Sequence, residues 1–202
     1  MGGASGLQNI VTNGQQTLLT YRATTGAGVI ANGEQIHITP SVEWYTGTPW
    51  SFVGEYAIEK QDYTRTTAAA LPTNSFSGTN TAWRATVGYV LTGEEATKAG
   101  VTPAAPFNFA SGNWGAFELV ARVSGIDLAD ELFNPAGQGG ALSRTTNATG
   151  AFAYGAGINW YLNKNVRVLF NVEKTEFDGG GAGTGGVAAD ELYLFTRFQL
   201  QF

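Results

Sequence analysis

Hydrophobic and polar residues alternate along most of this chain, in runs near twelve residues separated by stretches rich in glycine, threonine and alanine. The pattern is clearest in the C-terminal segment ELYLFTRFQLQF. There Leu192, Leu194, Phe198, Leu200 and Phe202 fall on one side of an extended strand, with Thr196 among them. Tyr193, Phe195, Arg197, Gln199 and Gln201 fall on the other. A period of two is that of a β-strand, because successive side chains point to opposite faces. One continuously apolar face, backed by an arginine and two amides, describes a wall between an oily environment and a wet one.

Seven upstream segments repeat the pattern. The first, Gln16–Thr24, sets Leu19, Tyr21 and Ala23 against Thr20 and Arg22, and is the weakest. The second, Glu34–Tyr45, sets Ile36, Ile38, Val42 and Trp44 against His37, Thr39, Ser41 and Glu43. Its Pro40 removes a ladder hydrogen bond and marks a bulged or edge-like spot. Trp50–Gln61, Thr81–Thr92, Gly115–Leu128, Ala148–Leu162 and Asn165–Phe177 complete the set. Strands of soluble sandwiches are usually about 5–6 residues long. Twelve residues tilted at about 45° instead rise close to the apolar thickness of an outer membrane. The expected fold is all-β: one domain over residues 1–202, an antiparallel transmembrane β-barrel with about eight strands.

The connections alternate in length. Tyr45–Pro49 and Leu162–Asn165 are tight turns, whereas Thr25–Gly33, Asp62–Asn80, Ala129–Asn147 and Asp178–Val187 are longer and polar. Short turns on one rim and long loops on the other are the asymmetry of such barrels. With the C-terminal strand descending to the periplasm, the long loops lie outside. Gly93–Trp114 resists the scheme, being a long segment where a tight turn belongs; it covers the barrel mouth or carries a short helix at Glu94–Lys98. Trp44, Tyr45, Trp50, Trp160 and Tyr161 sit beside the two tight turns, where an interfacial aromatic girdle is expected.

Composition narrows the function more than it identifies it. Hydrophobic residues make up 43% of the chain, yet no run of apolar residues is long enough for a membrane helix, which excludes only the helical way of spanning. There is no cysteine, which removes disulfides and thiolate metal sites. A net charge of -5 without a basic block argues against nucleic acid. No charged and apolar leader opens the sequence at MGGASG, so an export signal was removed or the sequence is part of a longer precursor.

The residues also resemble a known family. YVLTGE (Tyr89–Glu94), PFNFASGNWGAFELVARVSGIDL (Pro106–Leu128), INWYLNKNVRVLFNVEKTEFDGG (Ile158–Gly180) and DELYLFTRFQLQF (Asp190–Phe202) look like the C-terminal half of the phosphate-selective porins O and P. ANGEQIHITPSVEWYTGTPWSFVGEY (Ala31–Tyr56) is similar to the preceding hairpin. The resemblance implies a passive channel of the Gram-negative outer membrane, usually a sixteen-stranded homotrimer in contact with lipid, passing phosphate, polyphosphate or other small anions. It implies no cofactor and no enzymatic activity, and it makes Phe202 part of the signal read by the barrel-assembly machinery. This chain has room for about eight strands. Either they close alone around a filled interior, as a structural barrel, or they are half of the larger pore with two edges to be paired; a partial sequence is the preferred reading. The lysine cluster of the family's anion site cannot be carried over, since only Lys60, Lys98, Lys164 and Lys174 are present.

Arg22, Arg84, Arg122, Arg167 and Arg197 all fall on the polar phase of their strands and are candidate pore-lining anion ligands, because a guanidinium offers phosphate oxygens a planar fork. Glu43, Glu55, Glu59, Glu118, Glu173 and Glu191 share that face, so each arginine is also a candidate wall ion pair. His37, the single histidine, reads as a wall residue. Glu94 and Glu95 are adjacent and would need loop geometry to act together on a metal. The glycine run Gly179–Gly186 lacks the Lys-Ser/Thr of a phosphate-binding loop and reads as a mobile outer loop.

Overall fold

Alternation becomes a hydrogen-bonded sheet. The computed structural model describes residues 7, 9–21, 28–65, 74–133, 141–180 and 188–201. A two-stranded ribbon of β1 (Ile10–Val11) and β2 (Thr17–Leu19) precedes an eight-stranded sheet. The sheet comprises β3 (Val29–Ile38), β4 (Ser41–Tyr45), β5 (Trp50–Arg65), β6 (Asn74–Val90), β7 (Ala116–Asp127), β8 (Ala148–Asn163), β9 (Val166–Gly179) and β10 (Glu191–Leu200). Its order is β10-β9-β8-β7-β6-β5-β3, with β4 also on β5, and every pairing is antiparallel. β3 and β4 are two halves of one line along β5, interrupted at Thr39–Pro40, where the Pro40 carbonyl accepts from the Tyr56 amide at 3.1 Å. Seven positions therefore lie across the sheet, and among the described residues β10 and the β3/β4 line are its edges.

Of the first expected wall strand, Gln16–Thr24, no described residue is in this sheet. Its described part enters β2, which pairs only with β1. The reason is burial on both sides: Leu18 and Leu19 point opposite ways and are both buried, in two separate clusters. A wall strand has one side against the membrane; this one lies within the fold.

Register keeps the two faces distinct. Leu194 pairs with Val172, Val172 with Ala156, Leu119 with Ile158, Ile158 with Phe170, and Trp83 with Tyr56. These side chains are exposed despite being apolar, Leu194 at 73%, and so is Val42 of β4 at 69%. So extensive an apolar face exceeds what soluble monomers show to water. On β9 it ends at Lys174, whose ammonium pairs with Glu176 at 2.8 Å and Asp190 at 2.9 Å.

Burial is found at the two ends of the polar face. At the long-loop end, Leu19, Val29, Tyr63, Leu128, Leu132, Phe133 and Leu142 form one cluster, and Leu18, Ala148 and Phe177 another. At the tight-turn end, Val90, Ala96, Val101, Ala116 and Tyr161 pack together. Gly93–Trp114 thus folds back over the polar face at that rim. No helix forms at Glu94–Lys98. The carboxylate of Glu94 instead accepts from the Thr92 hydroxyl and from the Ala104 amide at 3.0 Å, which ties the chain into a loop. Burial pushes the Glu94 carboxyl up, but these hydrogen bonds prevail and hold it below its ordinary 4.5. Lys98 reaches Glu43 at 2.7 Å and anchors the loop to β4.

Candidate functional site

Between the buried ends, the polar face carries a cavity of about 370 Å³. Its floor exists because β8 presents glycine on that face. Gly155 lies between Arg122 of β7 and Glu173 of β9, and Gly157 between Val120 and Asn171. With no side chain at Gly155, Arg122 crosses β8 and pairs with Glu173 two strands away. A Cβ at Gly155 would meet the Val172 carbonyl oxygen at 2.6 Å.

Three of the five arginines meet here. Arg84, Arg122 and Arg197 all line the cavity. Arg84 pairs with Glu55 at 2.5 Å across the β5–β6 ladder. Arg122 is held by Glu173, whose side chain is only 7% exposed and also accepts from Asn13 Nδ2 at 2.7 Å. Arg197 has no carboxylate within ion-pair distance among the described residues; its guanidinium lies 5.1 Å over the Phe195 ring. Arg167 stands apart, toward the tight turns, where it donates to Gln199 Oε1 at 2.9 and 3.1 Å and faces the Tyr161 ring at 5.9 Å. Arg22 lies outside the described residues. Two of these arginines, Arg84 and Arg122, are therefore paired with glutamate in the wall, and two, Arg167 and Arg197, meet no carboxylate among the described residues.

The β1–β2 ribbon reaches this cavity through Asn13, a contributor that alternation could not reveal. Its seating is specific: the Gln16 amide donates to Glu191 Oε1 at 3.2 Å, and the Thr20 amide to Asn147 Oδ1 at 2.5 Å.

On the opposite face, Trp44, Trp50 and Trp160 stand near the tight turns. Trp44 stacks on Phe52 at 5.5 Å, Trp50 meets Tyr89 at 4.5 Å, and Trp160 lies parallel to Phe117 at 5.9 Å. Tyr45 and Tyr161, expected with them, turn to the polar face. Tyr161 is 4% exposed and donates to Glu118 at 2.8 Å, so it is a buried prop for the folded-back loop and no part of an exposed band. Trp114 and Phe107 join the band instead, at 6.4 and 5.6 Å from Trp160.

Other candidates resolve as structural. His37 shares a 2.7 Å hydrogen bond with Thr39 and faces Glu59 across the ladder. Glu94 holds its turn, as described. Of the glycine run, Gly179 and Gly180 adopt positive φ and the remainder lies outside the described residues, as does Phe202. No group of three histidine or carboxylate side chains that could hold a metal occurs among the described residues.

Against known proteins, a family model described as phosphate-selective porin O and P matches residues 11–202. No curated protein matches the chain.

Proposed function

Because the chain belongs to the phosphate-selective porin O and P family, a family of transport proteins and not of enzymes, we propose that it forms the wall of an outer-membrane pore passing small anions, phosphate among them, by passive diffusion. The observation that carries this reading is the two-faced sheet itself. Its exposed apolar side suits lipid, and its polar side gathers Arg84, Arg122 and Arg197 around one cavity. In this reading Arg197 and Arg167 supply most of the potential felt by a passing anion, because Arg84 and Arg122 are compensated in place by Glu55 and Glu173. Closure into a barrel, a trimeric assembly and delivery by the barrel-assembly machinery through Phe202 belong to the same proposal.

The test is electrical. Neutralising Arg167 and Arg197 together should lower the anion-to-cation permeability ratio, measured from reversal potentials in planar bilayers, with channel insertion unchanged. Neutralising Arg84 and Arg122 together should lower it less. An unchanged ratio after the first substitution would show that these arginines are not on the ion path. The competing reading is a purely structural, plugged barrel, favoured by the chain segments that pack on the polar face at both ends. An inserted protein without ionic conductance would establish it.

A further inference from the structure

Polar-phase positions of a water-facing wall are expected to be polar, yet Val120, Leu169, Tyr193 and Phe195 all line the arginine cavity. Two of them are organised. Tyr193, Phe195 and Arg197 occupy successive same-face positions on β10, so their side chains form a ladder along the strand. The Tyr193 and Phe195 rings are 5.9 Å apart and inclined by 22°, and the Arg197 guanidinium continues the ladder 5.1 Å from Phe195. The charge is equally localised. With Arg84 and Arg122 paired to Glu55 and Glu173, the cavity offers one guanidinium free of carboxylate, at one end of a flat apolar strip. Gly155 and Gly157 add no side chain of their own beside it; Arg122 crosses the first and the Asn171 amide lies over the second, so the floor of the cavity stays low. A hydrated inorganic ion gains nothing from that strip, whereas a ring does. The volume of about 370 Å³ lies within the range of small-molecule sites, about 300–1,000 Å³.

We propose that the cavity is a subsite for an organic oxyanion, its phosphate- or carboxylate-like head on Arg197 and an apolar ring laid along Phe195 and Tyr193. The proposal rests on the anion-pore reading and narrows its substrate class. Stacking of one ring on an aromatic wall is sufficient for a roughly 2- to 12-fold gain in affinity.

The experiment measures block of ionic current through the purified, bilayer-inserted protein by phenyl phosphate and by methyl phosphate, which share a head and differ in the ring. Benzoate against acetate makes the same comparison for a carboxylate head. Phenyl phosphate or benzoate should block at about fivefold lower concentration than its ringless partner, and Phe195→Leu should bring the ratio close to one. Ring and ringless anions blocking equally in both pairs would overturn the subsite while leaving the anion pore standing. Absence of block by any of the four, together with a permeability ratio showing no anion preference, would overturn both. Should Phe195→Leu fail to insert, the wild-type comparison decides alone.

Discussion

Placing an arginine on either side of β9 tests the two-faced wall directly. On that strand the apolar face runs from Val166 through Val168 and Phe170 to Val172, and ends at Lys174. Six residue steps of about 3.3 Å make about 20 Å along the strand, or about 15 Å of height at a tilt near 40°. Val168 lies one step from the middle of that stretch, between Trp160 of β8 and Phe198 of β10. An arginine there has apolar neighbours on both flanks but lies level with Trp160 of the aromatic band, so Val168→Arg should cost about 1–3 kcal/mol, between the interfacial and midplane values for a cation. Asn171→Arg is the control. Asn171 pairs with Gly157 on the other face and lines the cavity, so a longer cationic side chain there meets open space and only screened repulsion. Its cost should stay below about 1 kcal/mol. Reversible urea unfolding in lipid bilayers, followed by tryptophan fluorescence, measures both. Equal costs, or the larger cost at Asn171, would refute the assignment of faces.

Three further outcomes follow from the cavity and its surroundings. Glu173→Gln leaves Arg122 without its counter-charge; since Arg122 is about a third exposed, unfolding should register about 1–3 kcal/mol, below the full value for a buried pair, and the anion-to-cation permeability ratio should rise; a ratio that falls would contradict the pairing. Gly155→Ala should destabilise by about 1–3 kcal/mol through its clash with the Val172 carbonyl, whereas Gly54→Ala, with nothing within 4 Å of the new methyl, should stay within about 0.5 kcal/mol by the same measurement. Because the folded carboxyl of Glu94 is held below its ordinary value, its contribution is complete above about pH 4.5 and is lost as the pH falls through the lower folded value. Amide exchange at Ala104 should therefore accelerate in acid, and Glu94→Gln should remove that acid dependence.

The wall was legible in the sequence because a half-buried strand records its two environments at every second residue. Trp50–Gln61, Thr81–Thr92, Gly115–Leu128, Ala148–Leu162 and Asn165–Phe177 reappear as β5 to β9, with β5 and β6 extending beyond the expected range at the long-loop end. Pro40 rightly marked a break. The departures have physical origins. Leu18 and Leu19 are adjacent leucines, a break in the alternation, and both are buried because the described part of that segment is enclosed on both sides. Trp44 with Tyr45, and Trp160 with Tyr161, are neighbours too, so strand geometry places only one of each pair in any band. The site was legible as a set of arginines on one face, but not as a division of labour. Whether an arginine meets a glutamate depends on register two strands away, as between Arg122 and Glu173, and on a glycine between them. No local pattern carries that information.

The order of the sheet also sets a rule of parity. Six antiparallel steps separate β3 from β10, so these two edges travel in the same direction. Bringing them together would create a parallel seam, in which the hydrogen bonds slant and the apolar rows no longer meet by simple up-and-down succession. Two copies arranged head to tail around an axis along the membrane normal would inherit the same mismatch at both joins. A ring that stays antiparallel throughout needs an odd number of further strands between the edges, and a sixteen-stranded closure satisfies that condition. The neighbour of β10 in such a ring runs upward, from the rim of tight turns to the rim of long loops, and so does the neighbour of β3.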